Sequence, residues 1–360
     1  MFDIKDLFSG GKKQLVGLDI GSSSLKLAEM LETPEGYLLN NFSRIPLPRG
    51  VIVDGAVVEQ EQLTEKIKEL FKHSGCKRKR IVTSLSGHSV IIKKVSFPAM
   101  EEGELRDLIK DDAGKYLPFE NVEDVNLDFQ ILGENEFNPN QLEVLLVAAK
   151  KDIIAGYTTA IKNAGLSVAI MDVDSFALET MYEENYDFGE EDLDVLINIG
   201  ASITNINVVK NGTSIFTRDF PLGGNAITEA IAEKLGITFE EAEKIKIEGI
   251  EGDEPEKSEF RESIFIHADP IFSEIERSID YLRSTHRTDS IKHILLSGGS
   301  AKIAGITDEL YKRISIETEL INPFKNIDFN RKSLEDNFLK SIAPFASVAV
   351  GLALRREGDK

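Results

Sequence analysis

The chain has 360 residues, 41% of them apolar and 29% charged, with only 27 glycines and 11 prolines. That is length for two or three domains with a large core, and it argues against a collagenous, low-complexity or wholly disordered protein. Forty-two basic residues against 62 acidic ones leave a net charge of −20; such a field repels phosphate backbones and anionic headgroups and speaks against broad nucleic-acid or membrane-surface binding.

The N-terminal MFDIKDLFSGGKK has no basic region ahead of a continuous apolar run and no small-residue cleavage site, so export is not expected. Its Phe2, Ile4, Leu7 and Phe8 suit either a membrane-touching amphipathic turn or simple packing on the fold. Val16, Leu18 and Ile20, then Leu25, Leu27 and Met30, alternate as two strands around a small-residue turn. Leu63, Ile67, Leu70 and Phe71 mark a helix closed by Gly75. The basic run Lys77–Arg80 reads as a solvated turn before a strand at 81–85. Cys76, the only cysteine, excludes an internal disulfide and a thiolate zinc site.

Residues 88–150 change character: an apolar strand, an acidic helix over 101–116 and two long strands around a polar turn predict a compact inserted subdomain. Ile153, Ile154, Tyr157, Ile161 and Ala164 predict a helix before Gly165, followed by a strand over 166–173 and a helix over 175–182. The connection 182–194 holds seven acids and no base, too polar to bury. Asn211-Gly212 between two alternating runs predicts a type I′ hairpin. A helix with Ile227, Ala230, Ile231 and Leu235 on one face ends at Gly236, and Thr238 with Glu241 forms a capping box for the next. A long helix over 263–286, a strand over 292–297, the Gly298-Gly299 turn and a small-residue apolar helix over 341–356 complete the chain. No apolar run reaches the 18 residues of a membrane span, so that last helix is expected to pack in the fold.

The two halves share a frame. Ile20, Gly21 and Ser23 of LDIGSSS match Ile199, Gly200 and Ser202 of INIGASI, each between an incoming and an outgoing strand, which fits one domain duplicated. A turn of glycine and serine lets backbone N–H groups converge on an oxyanion, and Asp19 beside it suits a hydrated Mg²⁺. An ordinary strand–turn–strand with a satisfied Asp19 is the plainer alternative. The strand-to-helix turn at Gly298-Gly299 offers a flat surface for a base or ribose, while no Walker A or GxGxxG motif is present. Nothing in the spacing of Ser, His and Asp or of Cys and His suggests a hydrolase, and nothing favours nucleic acid.

In this order GLDIGSSSLKL (17–27), LINIGASITNI (196–206) and ILLSGGSAKIAGI (294–306) resemble the two phosphate motifs and the adenosine motif of the actin-like ATPase superfamily. DSFALETMY (174–182) and APFASVAVGLAL (343–354) look like its two connecting helices, and FPLGGNAITEAIAEKLGITFEEAEKIK (220–246) is similar to the PilM family of type IV pilus assembly. The resemblance implies an α/β, actin-like (ribonuclease H-like, duplicated) two-lobed fold with an FtsA-type inserted subdomain. The first lobe would hold 1–87, 166–192 and 340–360; the insert 88–165; the second lobe 193–224 and 288–339, with 225–287 as its subdomain.

The resemblance further implies ATP or ADP with Mg²⁺ between the lobes. Asp19, Gly21, Ser22, Ser23, Ser24 and Lys26 would meet phosphate, with Asp19 on the metal through water. Asn198, Gly200, Ala201 and Ser202 would face them; Gly223, Gly224, Glu241 and Lys244 would lie near the nucleoside, and Gly298, Gly299, Ser300 and Lys302 at adenosine. The implied protein is cytoplasmic, does not insert in the membrane, docks the N-terminal tail of a PilN-type inner-membrane protein, meets other pilus assembly proteins and self-associates. Asn198 departs from the family's acid, which removes one anionic anchor for Mg²⁺. Asp174 stands where relatives orient the attacking water, or else serves as a helix N-cap. Slow or negligible turnover follows. The alternatives are an FtsA-like division filament protein, which would add a basic amphipathic helix beyond Arg355-Arg356, or a small-molecule kinase of the same superfamily.

Overall fold

The computed structural model describes residues 15–87, 90–117, 122–135, 138–189, 192–250, 253–286 and 291–359. The N-terminal apolar segment lies outside the described residues. The first half opens with β1 (Val16–Ile20), β2 (Ser24–Thr33) and β3 (Gly36–Pro46), then a short ribbon of β4 (Ile52–Val53) and β5 (Ala56–Val57). Helix α1 (Gln60–Ser74) follows, and Gly75 ends it in the left-handed conformation, φ 68°. Its Leu63, Ile67 and Leu70 are fully buried, worth roughly 1.5–3 kcal/mol each against the exposed state. Strand β6 (Arg80–Leu85) leads into the insert: β7 (Val90–Pro98), α2 (Glu102–Tyr116), β8 (Val125–Asn135) and β9 (Asn138–Lys150). Then come α3 (Lys151–Asn163), β10 (Ser167–Val173) and α4 (Asp174–Asn185).

The second half repeats the scheme with β11 (Leu193–Ile199), β12 (Thr204–Lys210) and β13 (Thr213–Phe220), the last two joined through Asn211 and Gly212 at φ 50° and 74°. Both signs are those of a type I′ turn, as the Asn-Gly pair requires. Helices α5 (Gly224–Leu235), α6 (Phe239–Glu248) and α7 (Glu254–His286) precede β14 (Ile291–Ser297), α8 (Ile306–Ile314), β15 (Thr318–Leu320), β16 (Asp328–Phe329) and α9 (Asp336–Leu354).

Strand order carries the duplication. The first sheet runs β10-β6-β1-β2-β3-β16 and the second β13-β12-β11-β14-β15. In each, an antiparallel meander (β1–β3, β11–β13) is extended by two parallel strands on the side of its first strand. Strand alternation sorts side chains between two cores: Val16, Leu18, Leu25 and Ile45 face α1 and α3, whereas Ala28, Met30 and Phe42 face a central core shared with α4, α9 and Leu196, Val209 and Leu295 of the second sheet. The two connecting helices are therefore sandwiched between the sheets. They cross at Gly351 of α9, where a Cβ would stand 1.7 Å from the Ala177 carbonyl oxygen. Helix α9 is long and apolar enough by composition to cross a membrane, yet 72% of its apolar window is buried, as its small residues led us to expect.

Several boundaries differ from the sequence expectation. The insert is the three-stranded sheet β7-β9-β8 with α2 over one face, residues 90–150; α3, expected in it, puts Tyr157, Ala160 and Ile161 into the first lobe's core. Strand β16, expected in the second lobe, pairs with β3. Helix α7 starts nine residues before position 263, because 254–262 is rich in good helix formers. On α5 the buried face is Ile227, Thr228 and Ile231, while Leu235 is exposed at the helix end.

Candidate functional site

The duplicated turns meet. After β1 the Gly21 N–H donates to the Ser24 carbonyl at 3.2 Å; after β11 the Gly200 N–H donates to the Ile203 carbonyl at 2.9 Å. Across the lobe boundary Ser22 Oγ donates to Ser202 Oγ at 3.0 Å, and Asn225 Nδ2 donates to the same Ser202 oxygen at 3.2 Å. Ser23 is exposed at the turn, whereas Ser24 is buried as the first residue of β2. The donors facing the boundary are thus Ser22 and Ser23 on one side and Ser202 and Asn225 on the other.

Register places a row of polar side chains beside each turn. Asp19, Lys26 and Arg44 stand opposite one another on β1, β2 and β3; the matching row is Asn198, Asn205 and Asp219 on β11, β12 and β13. Lys26 Nζ lies 2.7 Å from Asp19 Oδ2. Asn198 Nδ2 donates to Asn205 Oδ1 at 3.0 Å, and Asp219 Oδ2 accepts the Gly87 N–H of the first lobe at 2.6 Å. These rows continue the same inward strand faces whose other residues line the central core, so the polar side chains emerge where the connecting helices end.

Asp174 is the first residue of α4, after Val173 as N-cap, and its carboxylate accepts Ser84 Oγ at 2.5 Å rather than a helix N–H. The N-cap alternative is therefore set aside. Burial, and next the negative charge of Asp19, raise its pKa to about 7.

The turns at Gly200, Gly223-Gly224 and Gly298-Gly299 interlock through glycine contacts. Gly224 N–H donates to Gly200 O at 2.9 Å and Asn225 N–H to Ala201 O at 2.8 Å. A Cβ on Gly224 would lie 2.2 Å from Ser300 Oγ, and one on Gly223 2.7 Å from Ala201 O, so the three turns interlock at backbone distance. Gly298, at φ 96°, sits against Ile199 O and donates its N–H to Pro344 O of α9 at 2.6 Å. Gly299 has open space where a Cβ would be, and Lys302 Nζ lies 5.6 Å from the Phe345 ring centroid.

Glu241 and Lys244 make their contacts within α6 and its cap. Glu241 closes the capping box with Thr238, and Lys244 is exposed. The residues of α6 that reach the Gly224 turn are Glu243 and Lys246: Lys246, 3% exposed, donates to Gly224 O at 3.1 Å, Thr228 Oγ1 at 2.8 Å and Glu243 Oε2 at 2.6 Å. Burial pulls its pKa down. Arg44, Asp219, Glu243 and Lys246 are the residues the sequence reading missed. Lys246 follows the buried Ala242 by four residues, a helical spacing that was readable; the other three emerge only with register and tertiary contact.

The family description "Type IV pilus assembly protein PilM" matches residues 17–357. The chain belongs to the PilM family. A solved PilM–PilN type IV pilus biogenesis complex holds a chain 28% identical to this one, with a TM-score of 0.82 over 96% of this chain and 99% of that one. The cell division protein FtsA of Enterococcus hirae is 24% identical over 352 residues, 86% of this chain and 78% of that protein. FtsA of Bacillus subtilis is 24% identical over 254 residues, 64% of this chain and only 57% of that protein's length. EutJ of Carboxydothermus hydrogenoformans, 15% identical, superposes with a TM-score of 0.56 over 97% of this chain and 94% of that chain. MreB5 of Spiroplasma citri bound to AMPPNP, 12% identical, superposes with 0.50 over 95% of each. The fold is actin-like, as expected, and the protein is a PilM-type component of type IV pilus assembly.

Proposed function

We propose that this chain is a cytoplasmic, nucleotide-binding adaptor that docks the N-terminal tail of a PilN-type inner-membrane protein and so sits at the membrane through its partners. The observation that carries the partner is the likeness to a chain solved as a PilM–PilN complex. Other pilus assembly proteins and further copies of this chain belong to the same reading. A net charge of −20 favours a short basic tail, and that attraction weakens with salt. Synthetic tail peptide titrated into the full chain is expected to bind with an affinity that falls as ionic strength rises; no binding, with or without ATP and Mg²⁺, overturns the adaptor.

The cleft fits ATP or ADP by its donor chemistry. Ser22, Ser23 and Ser202 present hydroxyls to phosphate, and the uncovered face of Gly299 accepts a flat base. Bound nucleotide would bring Mg²⁺ with its phosphates, and Asp19 would hold that ion through water. A divalent cation supplies charge neutralisation on phosphate. Burial and the Asp19 charge favour the protonated form of Asp174, which orients water poorly, and Asn198 adds no charge, so slow turnover is the reading these two residues support. Ser22 and Ser202 touch directly, so phosphate enters by parting the turns. Gly299→Leu tests the site, with a melting curve as the check on folding: a Cβ there meets nothing within 4 Å, and the rest of the side chain would occupy the face offered to a base. Loss of labelled-ATP binding is expected, and unchanged binding rejects the cleft.

A further inference from the structure

We infer that Arg44 is the clamp for the nucleotide's phosphates, reaching them from the third strand of the first lobe. The inference rests on the nucleotide reading above. Lys26, between Asp19 and Arg44 in the cross-strand row, already has its counter-ion at 2.7 Å. Arg44 makes no ion pair among the described residues. A cation directly opposite another cation on neighbouring strands is unfavourable, and a shared anion relieves it.

Its placement points the same way. The guanidinium carbon lies 4.6 Å from the centroid of Phe345, the residue after Pro344, whose carbonyl anchors Gly298. Arg44 thus spans the distance between the Asp19–Lys26 pair and the adenosine side, with Lys302 on the same ring. It keeps solvent access; partial burial pulls its pKa down, and the carboxylates facing it, Glu243 of α6 and Asp19 of β1, oppose that shift. The corresponding position in the second lobe is Asp219, an acid satisfied by the Gly87 N–H. Of the two duplicated rows only the first offers the cleft a surplus positive charge, so an anion is held off-centre, against the first lobe. A planar fork of donors matches phosphate in a way an ammonium does not.

The test compares labelled ATP, ADP and adenosine on the full-length wild type, Arg44→Gln and Arg44→Lys, with unliganded melting curves confirming equal folding. We expect Arg44→Gln to weaken ATP and ADP by about tenfold or more while adenosine is unchanged, and Arg44→Lys to recover part of the loss. Equal ATP affinity in Arg44→Gln, or an equal loss for adenosine, overturns the clamp and leaves Arg44 as a packing partner of Phe345 with the nucleotide site intact. Failure of the wild type to bind ATP removes the nucleotide reading itself, and the clamp with it.

Discussion

Gly351 is where the two lobes' connecting helices come closest, and replacing it with alanine puts a number on that contact. The added methyl would lie 1.7 Å from Ala177 O and 2.5 Å from its carbonyl carbon, whereas ordinary contact begins at 3.4 Å. Helices α4 and α9 must part by about 1.7 Å, and the surrounding Ala177, Leu178, Ala349 and Leu352 are fully buried. Overpacking costs about 1–3 kcal/mol where side chains give way, and here the obstacle is backbone, so the upper end applies. Alanine's better helix propensity offsets roughly 1 kcal/mol, leaving a net loss of about 2 kcal/mol and, for a chain of this length, a fall in Tm of about 3 °C. The control is Gly156→Ala on α3, whose methyl meets Val57 Cβ at 3.5 Å, an ordinary contact. It should gain about 0.5–1 kcal/mol. Thermal unfolding followed by circular dichroism compares the two directly. A Tm for Gly351→Ala at or above wild type would refute the close crossing of the helices.

Two further outcomes follow from buried charges. Glu179 on α4 accepts the Ser214 N–H at 3.1 Å, and burial raises its pKa from 4.5 to about 7. Its folded pKa lies above its unfolded one, so the folded state holds the proton more tightly and the stability it contributes, present below about pH 4.5, is lost as pH rises through 7. Glu179→Gln keeps the acceptor and should melt like wild type at pH 4 but higher at pH 8, by at most roughly 3 kcal/mol; equal melting at both pH values contradicts this. Lys246→Met strips the donor from Gly224 O and Thr228 Oγ1 and should lower stability by about 1–3 kcal/mol. Lys244→Met, on an exposed side chain 3.8 Å from Glu248, should leave the melting temperature unchanged, and equal effects from the two would contradict the orientation of α6.

The duplication was legible because it rests on local chemistry: a glycine and a serine at one spacing after a strand produce the same turn twice. The type I′ hairpin and the capping box were legible for the same reason. The phase of α6 was not, since charges at 240, 241, 243, 244 and 246 mark no face until Ala242 and Lys246 are seen buried together. Glu241 gives Oε2 to its own cap, accepting both the N–H and the hydroxyl of Thr238. Arg44 and Asp219 were invisible for a different reason. A cross-strand row depends on hairpin register, and β2–β3 carries a bulge between Glu29 and Met30 that shifts the pairing by one residue. The end of the insert was misplaced because a helix following a strand gives no hint of which neighbouring core receives its apolar side.

The insert has an independence that the lobes do not. Phe97, Leu105, Ile109, Phe129, Val144 and Leu146 form a core shared only by α2 and its three strands, apart from the larger cores that hold both sheets and the connecting helices. A unit closed on six large side chains opens at a lower free energy than the body that carries it, and does so cooperatively. Amide exchange should therefore run on two schedules, faster in β7, α2, β8 and β9 and slower in β1, β6 and β11. The insert is then a part able to loosen and reclose without disturbing the two lobes.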